Sequence, residues 1–281
     1  MRLRRTTTLA ASLLAITLTA TACGGGDDDD SGNGGGGGGD EIVIGIKFDQ
    51  PGLGLLTPDG DHVGFDVDVA TYIAGELGYE PDQIVFQEAP SPERENLLSR
   101  GDVDMIVATY SISEEREESV DFAGPYLLAH QDLLVRADYE VPNEEAINDM
   151  TLCSVSGSTS AANVQRDIAP DARLQQNNTY SQCLTGLENG TIDALTTDDS
   201  ILAGYAAQPE HQGKFRLAGL ELSDEYYGVG LPKDSENLDA VNEAITAMVE
   251  EGAWDEAVAE HFGPAGYEPE AAPEIGTRPE A

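Results

Sequence analysis

Residues 103–126 read Val103-Asp-Met-Ile-Val-Ala108-Thr-Tyr-Ser-Ile-Ser-Glu-Glu-Arg116-Glu-Glu-Ser-Val-Asp-Phe-Ala-Gly-Pro-Tyr126. The apolar run from Val103 to Ala108 predicts a buried strand. Hydroxyl side chains follow where that strand should end and a short helix begin. Because open α/β sheets bind their ligands at strand ends, this stretch predicts a binding site.

Arg116 is the chemically informative residue of this stretch. A guanidinium presents a rigid fork of donors that matches a carboxylate. With Thr109 and Ser111 beside it, Arg116 predicts a seat for a small acid. The alternative is a surface arginine paired with Glu114 or Glu115.

The chain is strongly acidic, with 53 Asp plus Glu against 14 Lys plus Arg and a formal net charge of −39. Such a surface repels nucleic acid and anionic lipid, so neither is expected as a partner. The long-range field also opposes the approach of an anionic ligand. An anion site would therefore depend on local, desolvated cations and oriented amides.

The first 40 residues predict export and anchoring. Three arginines precede an apolar stretch that is too short to span a bilayer but fits a secretory signal, residues 1–22. Ala20-Thr-Ala-Cys23 resembles a bacterial lipobox in which Cys23 is lipidated, with ordinary export as the alternative. Residues 23–40, almost wholly Gly and Asp after the cysteine, predict a flexible tether. The expected location is the outer face of the cell membrane.

The two remaining cysteines, Cys153 and Cys183, predict a disulfide, because an exported protein meets an oxidising compartment and only one pairing is available. A zinc site would need more ligands, and the four histidines show no ligand spacing. No metal and no cofactor are expected.

Strand and helix patterns alternate from Ile42 onward and predict an α/β fold. Leu133 to Val135 reads as one of the later strands. The tail from residue 267 is rich in Pro, Glu and Ala and predicts disorder.

Six pieces of the sequence carry a family resemblance: Gly45-Ile-Lys-Phe-Asp-Gln-Pro-Gly-Leu-Gly54, Gly64-Phe-Asp-Val-Asp-Val-Ala70, residues 108–126, Ser156-Gly-Ser-Thr-Ser160, Asp193-Ala-Leu-Thr-Thr-Asp-Asp199 and Tyr227-Gly-Val-Gly230. In this order they resemble the extracellular solute-binding proteins of the polar amino acid ABC transporter family (family 3), above all its glutamate-binding members. The resemblance implies a two-lobed periplasmic-binding-protein-like fold (type II), hinged by two crossing strands. Lobe 1 would comprise 41–129 and 226–266, lobe 2 130–225, and 267–281 a disordered tail.

The resemblance also assigns the groups that would hold an amino acid backbone. Arg116, with Thr109 and Ser111, matches the grip on the α-carboxylate. Ser158 and Thr159 match a loop that adds amides and a hydroxyl from lobe 2, and a Gly-led turn opening a helix supports this. The alternative for that loop is a plain helix N-cap.

Asp198 matches the acid that pairs with the ligand ammonium, while Asp199 would be the N-cap of the next helix. From sequence alone the two could exchange roles. Tyr180 aligns loosely with a ligand-contacting position.

Arg94, Ser91 and Lys47 are the candidates for binding an acidic side chain, with helix-surface charges as the alternative for the two cations. Many family members cover the ligand with an aromatic ring after the first strand. Here Phe48, Leu53 or Gln50 could take that place, and the choice is open.

The resemblance implies reversible capture of an acidic amino acid, glutamate first and aspartate second, and its delivery to an ABC permease. No enzyme activity is expected, the lipid anchor would be the only membrane contact, and a monomer is expected. Glutamine or another polar amino acid is the alternative ligand. A dehydratase enzyme on the same fold is the alternative from another class, and a sensor ectodomain is a third.

Overall fold

The computed structural model describes residues 41–278. The predicted signal, Cys23 and the tether therefore lie outside the described residues. The helices are α1 Phe65–Glu76, α2 Arg94–Arg100, α3 Glu114–Glu117, α4 Thr159–Asn163, α5 Ser181–Asn189, α6 Asp199–Ala207, α7 Leu238–Glu250 and α8 Ala253–His261. The strands are β1 Ile42–Ile46, β2 Asp49–Gln50, β3 Gly54–Leu56, β4 His62–Val63, β5 Ile84–Glu88, β6 Met105–Ile106, β7 Val120–Arg136, β8 Thr151–Val155, β9 Arg173–Asn177, β10 Ala194–Asp198, β11 Phe215–Leu217 and β12 Asp224–Pro232. Within 41–278 no helix is both long and apolar enough to cross a membrane.

The main sheet has the order β5-β1-β6-β12-β7-β10-β8-β9, with β11 also paired to β7. β1 runs parallel to β5 and β6, and β8 runs parallel to β9 and β10. These two parallel groups are the sheets of two lobes. The predicted two-lobed α/β fold is confirmed.

Strands β7 and β12 cross between the lobes. The 17 residues of β7 pair with β12 up to His130 and with β10 from Gln131 onward. The change of partner gives a physical basis for dividing the lobes near residue 130. We propose the boundaries 41–129 with 226–266 for lobe 1 and 130–225 for lobe 2.

In the largest core cluster, Phe65 packs against three other aromatic side chains of lobe 1. The ring of Phe65, the first residue of α1, lies 5.0 Å from Phe262, 6.0 Å from Trp254 and 6.2 Å from Tyr126. The Trp254 indole N–H also donates to the Tyr126 carbonyl at 2.8 Å. α1, α7 and α8 thereby cover one face of the lobe 1 sheet.

Two predicted strands differ in length from those observed. All six residues from Val103 to Ala108 except Asp104 are buried, but only Met105–Ile106 forms ladder pairs, because the chain turns at Thr109, whose φ is 46°. Leu133 to Val135 is instead the end of the long strand β7. The apolar pattern of the sequence predicts which segments are buried, whereas the length of a strand depends on the strands that pair with it.

The C-terminal segment differs from the predicted disordered tail over residues 267–278. Tyr267 packs on the core cluster and its hydroxyl donates to Asp199 at 2.9 Å. Further along, Arg278 donates to the Glu117 carboxylate at 2.8 Å. Composition alone misses such a segment, because a few side chains hold it and no periodic apolar face is involved.

Candidate functional site

A small polar cavity lies between the lobes. Lobe 1 contributes Ser91, Arg94, Thr109, Ser111 and Arg116, and lobe 2 contributes Ser158, Thr159, Tyr180, Asp198 and Ile201. The structure thus brings together every predicted binding residue except Lys47, which lies behind Ser91. Sequence reasoning missed Ile201, whose only signal is its place in the first turn of the helix after Asp198.

Arg116 enters the cavity from α3, a short helix capped by the Ser113 hydroxyl. Its side chain is buried, and it donates to the Ser111 carbonyl at 2.6 Å and, across the cleft, to the Gly157 carbonyl at 3.1 Å. The nearest carboxylate is that of Glu95 at 3.7 Å. The surface pairing with Glu114 or Glu115 does not occur.

Arg94, at the start of α2, is also buried, so the surface-charge alternative is wrong for it. Its guanidinium donates to the Ala108 carbonyl at 2.6 Å. Both guanidiniums lie over the ring of Tyr110, with Arg94 at 4.8 Å and Arg116 at 4.9 Å from its centroid. Burial, followed by the charge of Arg116, lowers the pKa of Arg94.

Lys47 follows β1 and is 4% exposed, which removes the surface alternative here as well. Its ammonium donates to the Ser91 hydroxyl at 3.1 Å. Burial, followed by repulsion from Arg94, lowers the Lys47 pKa to about 7. An anion entering this end of the cavity would stabilise the charged form of the lysine.

Thr109 is held in a backbone conformation that a β-branched residue rarely adopts. Its N–H donates to the carboxylate of the fully buried Asp66 at 2.8 Å, and Asp66 also accepts from the Tyr126 hydroxyl at 2.8 Å. Burial raises the pKa of Asp66 to about 6. Asp66, which sequence reasoning missed, therefore fixes the strand end that carries Thr109.

The loop from Gly157 to Thr159 reaches the cavity from lobe 2. Gly157 has a φ of 74°, and a Cβ there would lie 2.9 Å from the Pro92 Cα, so the close approach of the lobes requires glycine. The Ser158 hydroxyl accepts from the Ala161 N–H at 3.1 Å and donates to the Val155 carbonyl at 2.8 Å. Ser158 is thus the N-cap that the alternative interpretation described, although it also lines the cavity.

Asp198 ends β10 and is 3% exposed. Its carboxylate accepts from the Tyr227 hydroxyl at 2.6 Å and the Ser160 hydroxyl at 3.2 Å. Burial, followed by the charge of Glu225, raises the pKa of Asp198 to about 8. Asp199 is the first residue of α6 rather than its N-cap, and its carboxylate accepts from His130 N–H and Tyr267 outside the cavity.

None of the three proposed lid residues lines the cavity. The Phe48 ring packs 4.8 Å from His62, and Leu53 is buried in the core. Gln50 is buried and accepts from the Thr109 hydroxyl at 3.2 Å. The apolar surfaces beside the cavity belong to Tyr180 and Ile201 of lobe 2.

The lobes also meet at the rim of the cleft. The Tyr205 hydroxyl donates to the Asp49 carbonyl at 2.6 Å, and the Ser181 hydroxyl donates to the Asp49 carboxylate at 3.3 Å. A Cβ on Gly204 would lie 2.0 Å from the Pro51 carbonyl oxygen. These contacts describe a closed arrangement.

Cys153 and Cys183 form a disulfide, as predicted, with their Cα atoms 5.8 Å apart. Among the described residues, one group could hold a metal ion: Asp68, Glu260 and His261. The His261 ring nitrogen already lies 2.7 Å from the Asp68 carboxylate, which ties α8 to α1.

Comparisons with known proteins agree with this geometry. Residues 42–264 match the family model of bacterial extracellular solute-binding proteins, family 3. The glutamate-binding protein GluB of Corynebacterium glutamicum is 47% identical over 232 residues, 78% of each chain. The glutamine-binding protein GlnH of an ABC transporter in Bacillus subtilis is 36% identical over 220 residues, 77% of this chain and 79% of that one.

Two solved structures share the fold. An ancestral arginine-binding protein bound to glutamine has a TM-score of 0.72 and 28% identity, covering 79% of this chain and 98% of its own. The solute receptor for L-cysteine of Neisseria gonorrhoeae has a TM-score of 0.76 and 27% identity, covering 82% and 94%. The chain belongs to the bacterial extracellular solute-binding proteins of family 3.

Proposed function

We propose that this protein captures an acidic amino acid, glutamate first and aspartate second, and delivers it to an ABC permease. The observation that carries the proposal is the cluster of buried cations Lys47, Arg94 and Arg116 at one end of the cavity. Buried charges are costly unless they are compensated. A ligand with two carboxylates supplies that compensation.

The proposed orientation follows from the charges that line the cavity. Arg116, with Thr109 and Ser111, binds the α-carboxylate, and the Thr159 loop approaches the same group from lobe 2. Asp198 binds the ammonium, opposite the arginines. Arg94, Ser91 and Lys47 bind the side-chain carboxylate, and Tyr180 packs against the ligand.

Relatives support the substrate class. GluB is named a glutamate-binding protein and is 47% identical to this chain over the aligned residues. GlnH is named a glutamine-binding protein and is 36% identical. Glutamate and glutamine differ only at the distal group, so the number of cations near that group is the discriminating feature. Two cations there, Arg94 and Lys47, favour the acid.

The same proposal includes anchoring through lipidated Cys23 outside the cell membrane, a monomeric receptor and no nucleic-acid partner. The dehydratase alternative would need an acid in the cavity that is not committed to an ammonium. Among residues 41–278, Asp198 is the one carboxylate that lines the cavity, and the proposal assigns it to the ligand ammonium.

Calorimetry against L-glutamate, L-aspartate, L-glutamine and L-asparagine tests the proposal. We expect glutamate to bind most tightly, aspartate next, and the two amides at least about tenfold more weakly, the equivalent of one charge-assisted hydrogen bond. Tighter binding of glutamine than of glutamate would overturn the acidic-ligand assignment. Binding of none of the four would overturn the proposal as a whole.

A further inference from the structure

Glu225 is a buried acid next to the cavity that none of the assigned roles uses. It lies on the crossing strand β12, and its side chain is 3% exposed. The carboxylate accepts from the hydroxyl of Thr159 at 2.8 Å, the amide of Asn163 at 3.1 Å and the hydroxyl of Ser223 at 3.0 Å. All three donors are neutral.

Within residues 41–278, Glu225 takes part in no salt bridge, and neither does Asp198. The two carboxylates nevertheless repel each other, since the charge of Glu225 contributes to the raised pKa of Asp198. Two buried carboxylates without a cation of their own are unfavourable together. A ligand ammonium is the cation that would relieve both.

We infer that Glu225 is a specificity-determining residue that, together with Asp198, selects ligands carrying an α-ammonium. This inference rests on the proposed function. Glu225 acts by adding negative charge to that end of the cavity and by holding Thr159.

The connection through Thr159 gives Glu225 a second effect on the same site. Thr159 has one hydroxyl proton, and it is donated to Glu225. The Ser111 hydroxyl, 3.3 Å from Thr159, must then be the donor between these two. Glu225 thus directs a chain of hydroxyls that runs from lobe 1 through lobe 2 to the crossing strand.

The other charged and titratable groups around the pair must be separated from its effect. Asp198 also faces Asp199 of α6, Tyr227 of β12, Tyr180 before α5 and Tyr267 after α8. The cations Arg94 and Arg116 line the lobe 1 side of the same cavity. These groups and Lys47 are unchanged by substitution at 225, so comparing two proteins with one ligand cancels their direct contributions.

The test compares wild type with Glu225→Gln in L-glutamate binding between pH 6 and pH 9. The glutamine can fill the same space: its oxygen accepts from Asn163 and Ser223, and its amide donates to Thr159. At pH 9 we expect the variant to bind glutamate about tenfold more weakly, the equivalent of one pKa unit. As the pH falls to 6, this difference in glutamate affinity should shrink. Wild type must deprotonate Asp198 against the charge of Glu225 in order to bind the ammonium, whereas the variant deprotonates Asp198 without that repulsion.

Glutarate, which has both carboxylates of glutamate but no ammonium, provides the second readout. Glu225→Gln should bind glutarate as well as or better than wild type, because a repelling charge is gone. The control is Glu221→Gln, which removes the same charge from an exposed position of the preceding loop and should leave both ligands within about twofold, the range expected of a screened surface charge.

A loss for glutamate that is equal at all pH values and equal for glutarate would reduce Glu225 to a structural residue and overturn the inference. An unchanged affinity for glutamate at pH 9 would also overturn it. If glutarate binds neither protein measurably, the pH dependence for glutamate decides. Failure of wild type to bind glutamate at all refutes the proposed function instead, so the two failures are distinguishable.

Discussion

The two ends of the cavity are built by opposite means. Lobe 1 supplies the cations Lys47, Arg94 and Arg116. Backbone carbonyls, a serine hydroxyl and the ring of Tyr110 hold them in place. Lobe 2 and the crossing strand supply the acids Asp198 and Glu225, which are held by hydroxyls and an amide. Each end satisfies hydrogen bonds locally, but among these five groups in the described residues only Arg116 has an ion pair, with Glu95 at 3.7 Å, so the other charges must be balanced from elsewhere.

Under the proposed function, the protein itself satisfies the hydrogen bonds of the site, and the ligand balances the charges. A zwitterionic diacid carries negative charge for the lobe 1 end and positive charge for the opposite end. The two ends should therefore respond to pH with opposite signs. The basic end loses one of its three positive charges as pH rises through the pKa of Lys47, and the acidic end loses negative charge as pH falls through the pKa of Asp198.

The largest expected effect comes from removing Arg116, the cation assigned to the ligand α-carboxylate. Arg116→Ala should leave a ligand carboxylate unpaired in a closed cleft at a cost of several kcal/mol, so glutamate affinity should fall by at least about a hundredfold. Isothermal titration calorimetry measures this. Arg100→Ala is the control, because the Arg100 side chain is 57% exposed and pairs with Asp102. Retention of affinity within about threefold would mean that Arg116 does not bind the ligand.

The disulfide is the next test, since it stabilises the lobe that carries Asp198. Its 30-residue separation corresponds to about 3.6 kcal/mol in the chain-entropy treatment. Reductant should lower the melting temperature of the exported protein by several degrees. The double variant Cys153→Ser with Cys183→Ser should have a lower melting temperature than wild type, and reductant should not change it. An unchanged melting temperature after verified reduction would contradict this prediction.

Arg94→Gln should separate the side-chain carboxylate from the amino acid backbone. The substitution removes a charge-assisted bond of about 1.5 to 3 kcal/mol, so glutamate affinity should fall about ten- to a hundredfold. Glutamine affinity should change much less. Competition calorimetry with both ligands at one ionic strength measures the two losses. Equal losses would show that Arg94 supports the cleft as a whole.

The smallest effect should come from Lys47, and its pH dependence is the informative part. Its pKa of about 7 means that the free protein loses this charge as pH rises past neutrality. A bound carboxylate raises that pKa, so Lys47→Met should cost up to about tenfold at pH 6 for a one-unit shift, and little at pH 9. Lys214→Met, at a residue whose exposed side chain pairs with Glu188, is the control. A loss that grows with pH would contradict the assignment.

The sequence predicted the cavity because its polar residues follow apolar strands. Thr109 and Ser111 follow a buried run of lobe 1 and Asp198 ends the buried strand β10 of lobe 2, and in each lobe these strand ends lie at the cavity. Arg94 and Arg116 were conspicuous because cations are rare in this chain. Local signals of this kind survive folding, since each residue is positioned by its own strand or helix.

Other parts of the site could not be read in this way. Glu225 lies near the start of β12 and looks in the sequence like many surface acids, and only the pairing of β12 with β7 buries it beside Thr159. Asp66 lies in the first turn of the regular helix α1, and its contact with Thr109 spans 43 positions. The C-terminal segment has no periodic apolar face, so its attachment through Tyr267 and Arg278 depends on surfaces made by distant elements. Long-range contacts between polar groups leave no local pattern.

Gly204 has a consequence for transport beyond packing. Because a methyl group there would overlap the Pro51 carbonyl, Gly204→Ala would hold the rim of the cleft apart like a spacer. Such a receptor would keep its binding groups but be unable to complete closure. Mixed with wild type, it would separate the step of ligand encounter from the step that commits a loaded receptor to the translocation cycle.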